Sequence, residues 1–255
     1  MTDTPYRLSE MTWQEVEEAV ERTGTLLLPV GSTEQHGHHL PLGVDVQMPM
    51  AIGERIAERC DALLAPPIWY GVTPHHMFKP GTFTVSTETF QRYVTELCAS
   101  AGEWGIDSVL LLNGHYLAQD PELEVVVRTL RVEHGMEAFH VPLVNLFADV
   151  AEELREADVS FHASEFETSI MLELFPELVK LDRAETVDPP AESLPLTDYD
   201  ALGENKVGWA LSASDMDSLT PTGNIGDPTV ATAEKGQALV EAAVSDVVTL
   251  VEALQ

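Results

Sequence analysis

Residues 26–30 read Leu-Leu-Leu-Pro-Val, an unbroken apolar run that stops at Gly31. Such a run is the pattern of a short strand buried on both faces, and strands of that kind lie inside parallel sheets covered by helices. Residues 108–112 and 139–143 repeat the pattern, and 63–65 gives a shorter version halted by Pro66 and Pro67. Amphipathic stretches separate the runs and predict helices over 13–22, 45–59, 88–101, 120–134, 148–157, 170–175 and 230–254. Thr12 and Glu15 have the spacing of a capping box before the first of them. Strand and helix in alternation imply an α/β fold: a three-layer α/β/α arrangement with a mostly parallel central sheet, as one domain over residues 1–255.

The segments just beyond these runs are chemically dense. Glu34, His36, His38, His39 and Asp45 come just after the first run, Asn113-Gly114-His115-Tyr116 after the 108–112 run, and His162 to Glu167 beyond the 139–143 run. Imidazole and carboxylate together suit zinc, manganese or iron, and a carboxylate can bridge two such ions. Ligands gather beyond the carboxyl ends of parallel strands. If these loops close on neighbouring strand ends, Glu34, His36, Asp45, His115 and Glu165 converge, enough for two divalent ions sharing Asp45. Paired ions lower the pKa of a water between them and polarise the carbonyl it attacks.

Plainer readings stand beside these. The His-rich segment also has a second reading as a solvated loop, behind the metal one, and Asp45 one as a carboxylate favoured by a helix N-terminus. His38 and His39 read as residues that orient a ligand or stand at the rim, His134 and His140 as surface or structural, and Trp69, Phe78 and Trp209 as core. Tyr116 either touches substrate or packs under the loop; Glu167 either supports a ligand or caps a helix. Two stretches are candidate lids: residues 68–86, rich in Gly, Pro and aromatics and containing His75 and His76, and the irregular 181–227.

Forty-three Asp and Glu face thirteen Lys and Arg, a formal charge of -30. That surface repels phosphate backbones and anionic lipid, so neither nucleic acid nor membrane partners are expected. No stretch reaches transmembrane length, and Cys60 and Cys98 fall in helices as small apolar residues. Keeping so acidic a chain compact calls for screening, and molar salt shortens the screening length to about 3 Å. The composition therefore points to the cytoplasm of a high-salt organism.

The chain resembles the creatinine amidohydrolase, or creatininase, family over most of its length. The resemblance is carried by Gly31-Ser32-Thr33-Glu34-Gln35-His36-Gly37, by Leu40-Pro41-Leu42-Gly43 with Asp45, by Asn113-Gly114-His115, by His162-Ala163-Ser164-Glu165-Phe166-Glu167-Thr168-Ser169, and by Gly223-Asn224-Ile225-Gly226-Asp227-Pro228. It implies a metal-dependent hydrolase of C–N bonds in cyclic amides or formamides, on an α/β/α fold, in a homo-oligomer that is commonly a hexamer. By motif position it implies one ion on Glu34, Asp45 and His115 and a second on His36, Asp45 and Glu165. His162 and Glu165 would then be catalytic, with Tyr116 and His162 against a small-molecule amide substrate. Leu117 stands where creatininase itself has a ligand Glu, and Asp158 where it has a stacking Trp, so creatinine as the substrate does not follow. The alternatives are a formamidopyrimidine-nucleotide deformylase of archaeal flavin and deazaflavin synthesis, and a non-catalytic oligomer stabilised by metal.

The acidic surface carries its own expectation. The melting temperature rises as KCl goes from about 0.1 M to about 3 M, and a fall over that range contradicts the high-salt reading.

Overall fold

The computed structural model describes residues 6–189, 199–203 and 210–255. Its helices, in chain order among the described residues, are α1 (Trp13–Val20), α2 (Val44–Arg59), α3 (Thr87–Glu103), α4 (Asp120–Glu133), α5 (Leu143–Leu154), α6 (Glu165–Leu174), α7 (Ala213–Leu219) and α8 (Ala233–Leu254). The central sheet is formed by β1 (Thr25–Val30), β2 (Leu63–Leu64), β3 (Ser108–Asn113) and β4 (Glu137–Pro142), all parallel, in the order β2-β1-β3-β4.

Every residue of β1 and β3 is buried, and alternate side chains feed opposite faces of the sheet. Leu27, Leu64, Leu110 and Leu112 join Ile52 and Ile56 of α2, Phe147 of α5, Ile170 of α6 and Val244 of α8 in one core. Leu26, Leu28, Leu63, Val109 and Leu111 join Ala19 of α1, Phe90 and Val94 of α3, and Val126 and Leu130 of α4 in the other. Two cores flanking one sheet make the three-layer α/β/α fold.

Strand order reverses at the centre. The α2 crossover takes the chain from β1 outward to β2, and the α3 crossover returns it past β1 to β3 on the other side, with the two helices on opposite faces. Such a switch point leaves a crevice beyond the carboxyl ends of the two central strands. Val30 pairs with Asn113, so β1 and β3 end level and present their loops at the same height.

The start of α2 is packed down onto both strand ends. A Cβ at Gly31 would lie 2.1 Å from the Asp45 carbonyl oxygen, and one at Gly114 would lie 2.2 Å from that same oxygen. Both positions therefore need glycine for close approach, since no side chain fits there. The helix accommodates this contact because Pro49, four residues beyond Asp45, has no N–H to offer that carbonyl.

Beyond the main sheet, β5 (Ser160–His162) and β6 (Ile225–Gly226) form a separate antiparallel pair. The His162 segment thus does not leave the end of β4, contrary to the sequence reading; α5 intervenes and His162 arrives on the second sheet. α5 also begins five residues before the expected 148, because Leu143, Phe147 and Ala151 recur at four-residue spacing and are all buried. Its acidic residues Asp149, Glu152 and Glu153 are exposed on the outer side. Within 181–227, Ser212 and Asp215 form a capping box that starts α7, an element absent from the sequence reading. Cys98 is buried in the core of the α3 layer as expected. Trp69, read as core, is 44% exposed, and Trp209 lies outside the described residues.

Gly31→Ala is expected to destabilise the protein by about 3 kcal/mol, because the added methyl overlaps main chain that cannot move without lifting α2. Chemical denaturation measures it; a change within about 0.5 kcal/mol contradicts the packing described.

Candidate metal centre

The crevice at the switch point holds the residues that come after β1 and β3. Glu34 is fixed by its N–H donating to the Leu42 carbonyl at 3.0 Å, which closes the first loop on itself. His115 is presented by Asn113, whose amide oxygen accepts from the His115 N–H at 3.0 Å and whose amide nitrogen donates to the His115 carbonyl at 3.1 Å. Asp45 stands in the first turn of α2. Glu34, His36, Asp45 and His115 are all buried, and they converge. His36 Nε2 is 3.0 Å from Asp45 Oδ1, while His115 Nδ1 is 3.0 Å from Asp45 Oδ2 and 3.3 Å from Glu34 Oε2.

The other nitrogen of each ring decides what these contacts mean. His36 Nδ1 lies 3.2 Å from the Glu34 carbonyl and His115 Nε2 lies 3.3 Å from the Val72 carbonyl. Carbonyls accept only, so each ring places an N–H there and turns its remaining nitrogen toward a carboxylate. A neutral ring then sets lone pair against carboxylate oxygen, a contact made favourable by a metal ion between them or, without one, by a second proton on the ring. Consistent with that demand, Glu34 Oε2 and Asp45 Oδ2 are buried without a hydrogen-bond donor. Ring nitrogens oriented from behind by main-chain carbonyls are the usual support for metal-bound histidine.

Donor atoms of Glu34, Asp45 and His115 lie within 4.8 Å of one another, as do those of His36, Asp45 and Glu167, and those of Glu34, His36 and His162. Asp45 belongs to the first two groups, the arrangement that lets one carboxylate serve two ions. The residues present therefore fit a pair of divalent cations.

Glu165, the expected carboxylate from the third segment, is elsewhere. Its oxygens accept from the Glu156 N–H at 3.1 Å and the Ala157 N–H at 2.9 Å, and Lys235 Nζ lies 2.5 Å from Oε1. The carboxylate near the cluster is Glu167, with Oε1 3.8 Å from His36 Nε2 and Oε2 accepting from the Ala163 N–H. The reason is helical phase. α6 begins at Glu165, and positions two apart on a helix point roughly 200° away from each other. One of the pair must face Lys235 when the other faces the cluster.

A cavity of about 500 Å³ opens onto Glu34, Asp45 and His115, with Tyr116, Phe161, His162 and Glu167 in its wall. His162 Nε2 donates to the Gln35 carbonyl at 2.8 Å, which leaves Nδ1 as its lone-pair nitrogen. Tyr116 reaches the cavity with its ring, while its hydroxyl donates to the Ala201 carbonyl at 2.5 Å. Asp158 is exposed and does not line the cavity. Of the two remaining histidines of the first loop, His38 is exposed and His39 is buried with Nε2 3.0 Å from Thr168 Oγ1. His140 sits 3.0 Å from Asp120, a structural contact at the sheet edge. His76, unassigned in the sequence reading beyond its place in a loop, lies 3.3 Å from Glu34 Oε1 and stacks 4.0 Å from the His162 ring. No local spacing points to it; only the pairing of His75 and His76 in a long loop draws notice.

Electrostatically the cluster separates into two sets. Burial opposes charge on His115, but Glu34 and Asp45 outweigh it and raise its pKa to about 9. Burial likewise opposes charge on His36, and Asp45 with Glu167 again prevails, holding it well above the usual range. Glu34 is pushed up to about 7, mainly by burial. His162, by contrast, falls to about 4 and His75 to about 3, with burial the chief cause and neighbouring histidines adding to it. The first set attracts cations and the second stays neutral.

A buried site of carboxylates and carbonyl-oriented imidazoles, at the switch point of an α/β sheet and open to a cavity, defines a metal-dependent hydrolase. The chain belongs to the creatininase family: the family model for creatinine amidohydrolase matches residues 9–251. A mycofactocin precursor peptide peptidase from Mycobacterium ulcerans is 33% identical over 235 residues, covering 88% of this chain and 83% of that protein. A creatinine amidohydrolase from Pseudomonas putida is 30% identical over 259 residues, covering 94% of each. Among solved structures, a putative creatinine amidohydrolase from Bacteroides fragilis superposes with a TM-score of 0.84 at 26% identity, covering 98% of this chain and 96% of that one. The structure described as "Creatininase Mn" superposes at 0.78 with 28% identity, covering 96% of each chain. This chain is accordingly a hydrolase that depends on divalent metal.

Ligand histidines must lose their second proton to bind a metal ion, and here that proton is held up to about pH 9 on His115. Metal affinity is therefore expected to keep rising from pH 6.5 to about 9, where histidines of ordinary pKa would already have levelled off. Competition with a chelator across that range reads it; a plateau from pH 7 contradicts the assignment.

Proposed function

We propose that the protein hydrolyses a C–N bond of a small non-peptide amide, cyclic or formyl, with Glu34, Asp45 and His115 holding one ion and His36, Asp45 and Glu167 the other. The observation that carries this reading is the shared Asp45 at the floor of a cavity roomy enough for a small molecule. A closed structural site would have no such access. Divalent ions bound there supply Lewis acidity, lowering the pKa of water and polarising the substrate carbonyl.

The remaining work belongs to side chains. His162 is neutral and anchored through Nε2–H, so Nδ1 is free to take the proton of the attacking water and return it to the departing nitrogen. Glu167 is oriented by the Ala163 N–H. Ala163 holds a left-handed φ of 47° to present it, and backbone strain in a non-glycine residue beside His162 fits a site that demands a fixed geometry. Tyr116 contributes a ring face to the substrate and not its hydroxyl, which Ala201 occupies. Leu117 and Phe161 add apolar wall. None of the described residues lining the cavity is Lys or Arg, which favours an uncharged amide over a phosphate-bearing nucleotide and so weighs against the deformylase alternative.

Among the described residues no helix is long and apolar enough to cross a membrane. A cytoplasmic setting at high salt is supported by the charge of -30. A homo-oligomer is supported by Trp69, Tyr70 and Phe83, which are 44%, 53% and 56% exposed, with the last two in edge contact. Sedimentation in concentrated KCl tests this, and a monomer at micromolar protein contradicts it. The whole chain acting as one domain fits two cores sharing one sheet.

Four substitutions test the site together. Glu34→Gln and His115→Ala are each expected to cost more than about 100-fold in kcat/KM on a panel of cyclic amides and formamides. Glu167→Gln is expected to lower metal content as well. Glu165→Gln instead loses about 1 kcal/mol of stability while keeping its metal, since Lys235 loses one charged partner but retains Glu156 at 2.6 Å and the Val230 carbonyl at 2.9 Å. Near-normal turnover in the first two overturns the proposal; metal loss on Glu165→Gln with retention on Glu167→Gln overturns the ligand set.

A further inference from the structure

Gln35 makes contacts that leave its amide only one orientation. The Gly37 N–H donates to its Oε1 at 3.1 Å, and its Nε2 donates to the Gly223 carbonyl at 3.0 Å. Both partners are main chain and neither can reverse its role. The second proton on Nε2 has two ring nitrogens in reach, His76 Nδ1 at 2.8 Å and His162 Nε2 at 3.1 Å; the latter already donates to the Gln35 carbonyl at 2.8 Å, so the proton goes to His76. That nitrogen must accept, so the ring carries its proton on Nε2, 3.3 Å from Glu34 Oε1. Space for the amide exists because residue 223 is glycine; a Cβ there would lie 1.9 Å from Gln35 Oε1. His76 itself is 3% exposed and closes a short turn from Pro74, so the ring has little freedom.

We propose that Gln35 and His76 are positioning residues for the metal centre: Gln35 selects the Nε2–H tautomer of His76, and that N–H holds Glu34 with Oε1 engaged and Oε2 turned toward His115 and its ion. Glu34 is the one carboxylate of the cluster borne on a loop, whereas Asp45 and Glu167 are on helices. It is the member that most needs an outside hold. Groups that orient a metal ligand are commonly worth 10–100-fold in affinity. The inference rests on the metal site proposed above.

Geometry supplies a discriminating pair of variants. In His76→Gln the terminal amide nitrogen reaches about as far as Nε2 and can still donate to Glu34. In His76→Asn the amide ends near Nδ1, keeping the contact to Gln35 and losing the one to Glu34. Chelator competition with Zn²⁺ on the full chain is expected to show a 10–100-fold loss of affinity for His76→Asn, most of it recovered in His76→Gln. Equal affinities for the two variants, whether both near wild type or both impaired, overturn the inference, because a merely structural histidine would not distinguish them. Long-range ¹H–¹⁵N spectra of metal-free wild-type protein give a second reading that no variant need survive: Nε2–H on His76 is expected, and Nδ1–H overturns the tautomer assignment. Wild-type protein that takes up no Zn²⁺ would instead remove the metal site on which all of this stands.

Discussion

Two imidazole nitrogens facing two buried carboxylates at 3.0 to 3.3 Å are the condition around which this molecule is built. Carboxylates and imidazoles at that depth are expensive to bury unless a cation joins them. Everything nearby serves to keep the rings from escaping by rotation: a carbonyl behind each histidine, a closed loop under Glu34, and a short turn of Asn113 under His115. The sheet contributes level strand ends, and the reversal of strand order contributes the gap between them.

The architecture was largely legible from the chain, for a physical reason. Residues 26–30 and 108–112 are buried on both faces, so their sequences carry no polar alternation to blur the reading, and the crossovers between them have strong amphipathic periodicity. Glu34, His36, Asp45 and His115 could be picked out because each directly follows a strand or opens a helix. The choice between Glu165 and Glu167 was a different matter. It depends on helical phase, and phase depends on where α6 starts, which the letters left uncertain by several residues. His76 and Gln35 are 41 residues apart, and their meeting rests on tertiary closure of a loop without periodicity. Side-chain networks of that sort leave no local trace.

The two sets of histidines show how one small volume supports opposite protonation preferences. His36 and His115 look at carboxylates and are drawn toward charge, whereas His75, His76 and His162 look at one another and are driven from it. Burial is common to both; the sign is set by neighbours. A neutral base beside a cation-seeking cluster results from that division without any further device.

The proline in α2 has a consequence for how the molecule holds together. The Gln47 N–H closes the first turn on the Gly43 carbonyl at 2.9 Å, but Pro49 offers no N–H to the Asp45 carbonyl, whose tight neighbours are instead Gly31 and Gly114 at the ends of two different strands. The head of α2 therefore leans on both strand ends at once, so a shift of either strand is passed to the main chain that carries the Asp45 carboxylate.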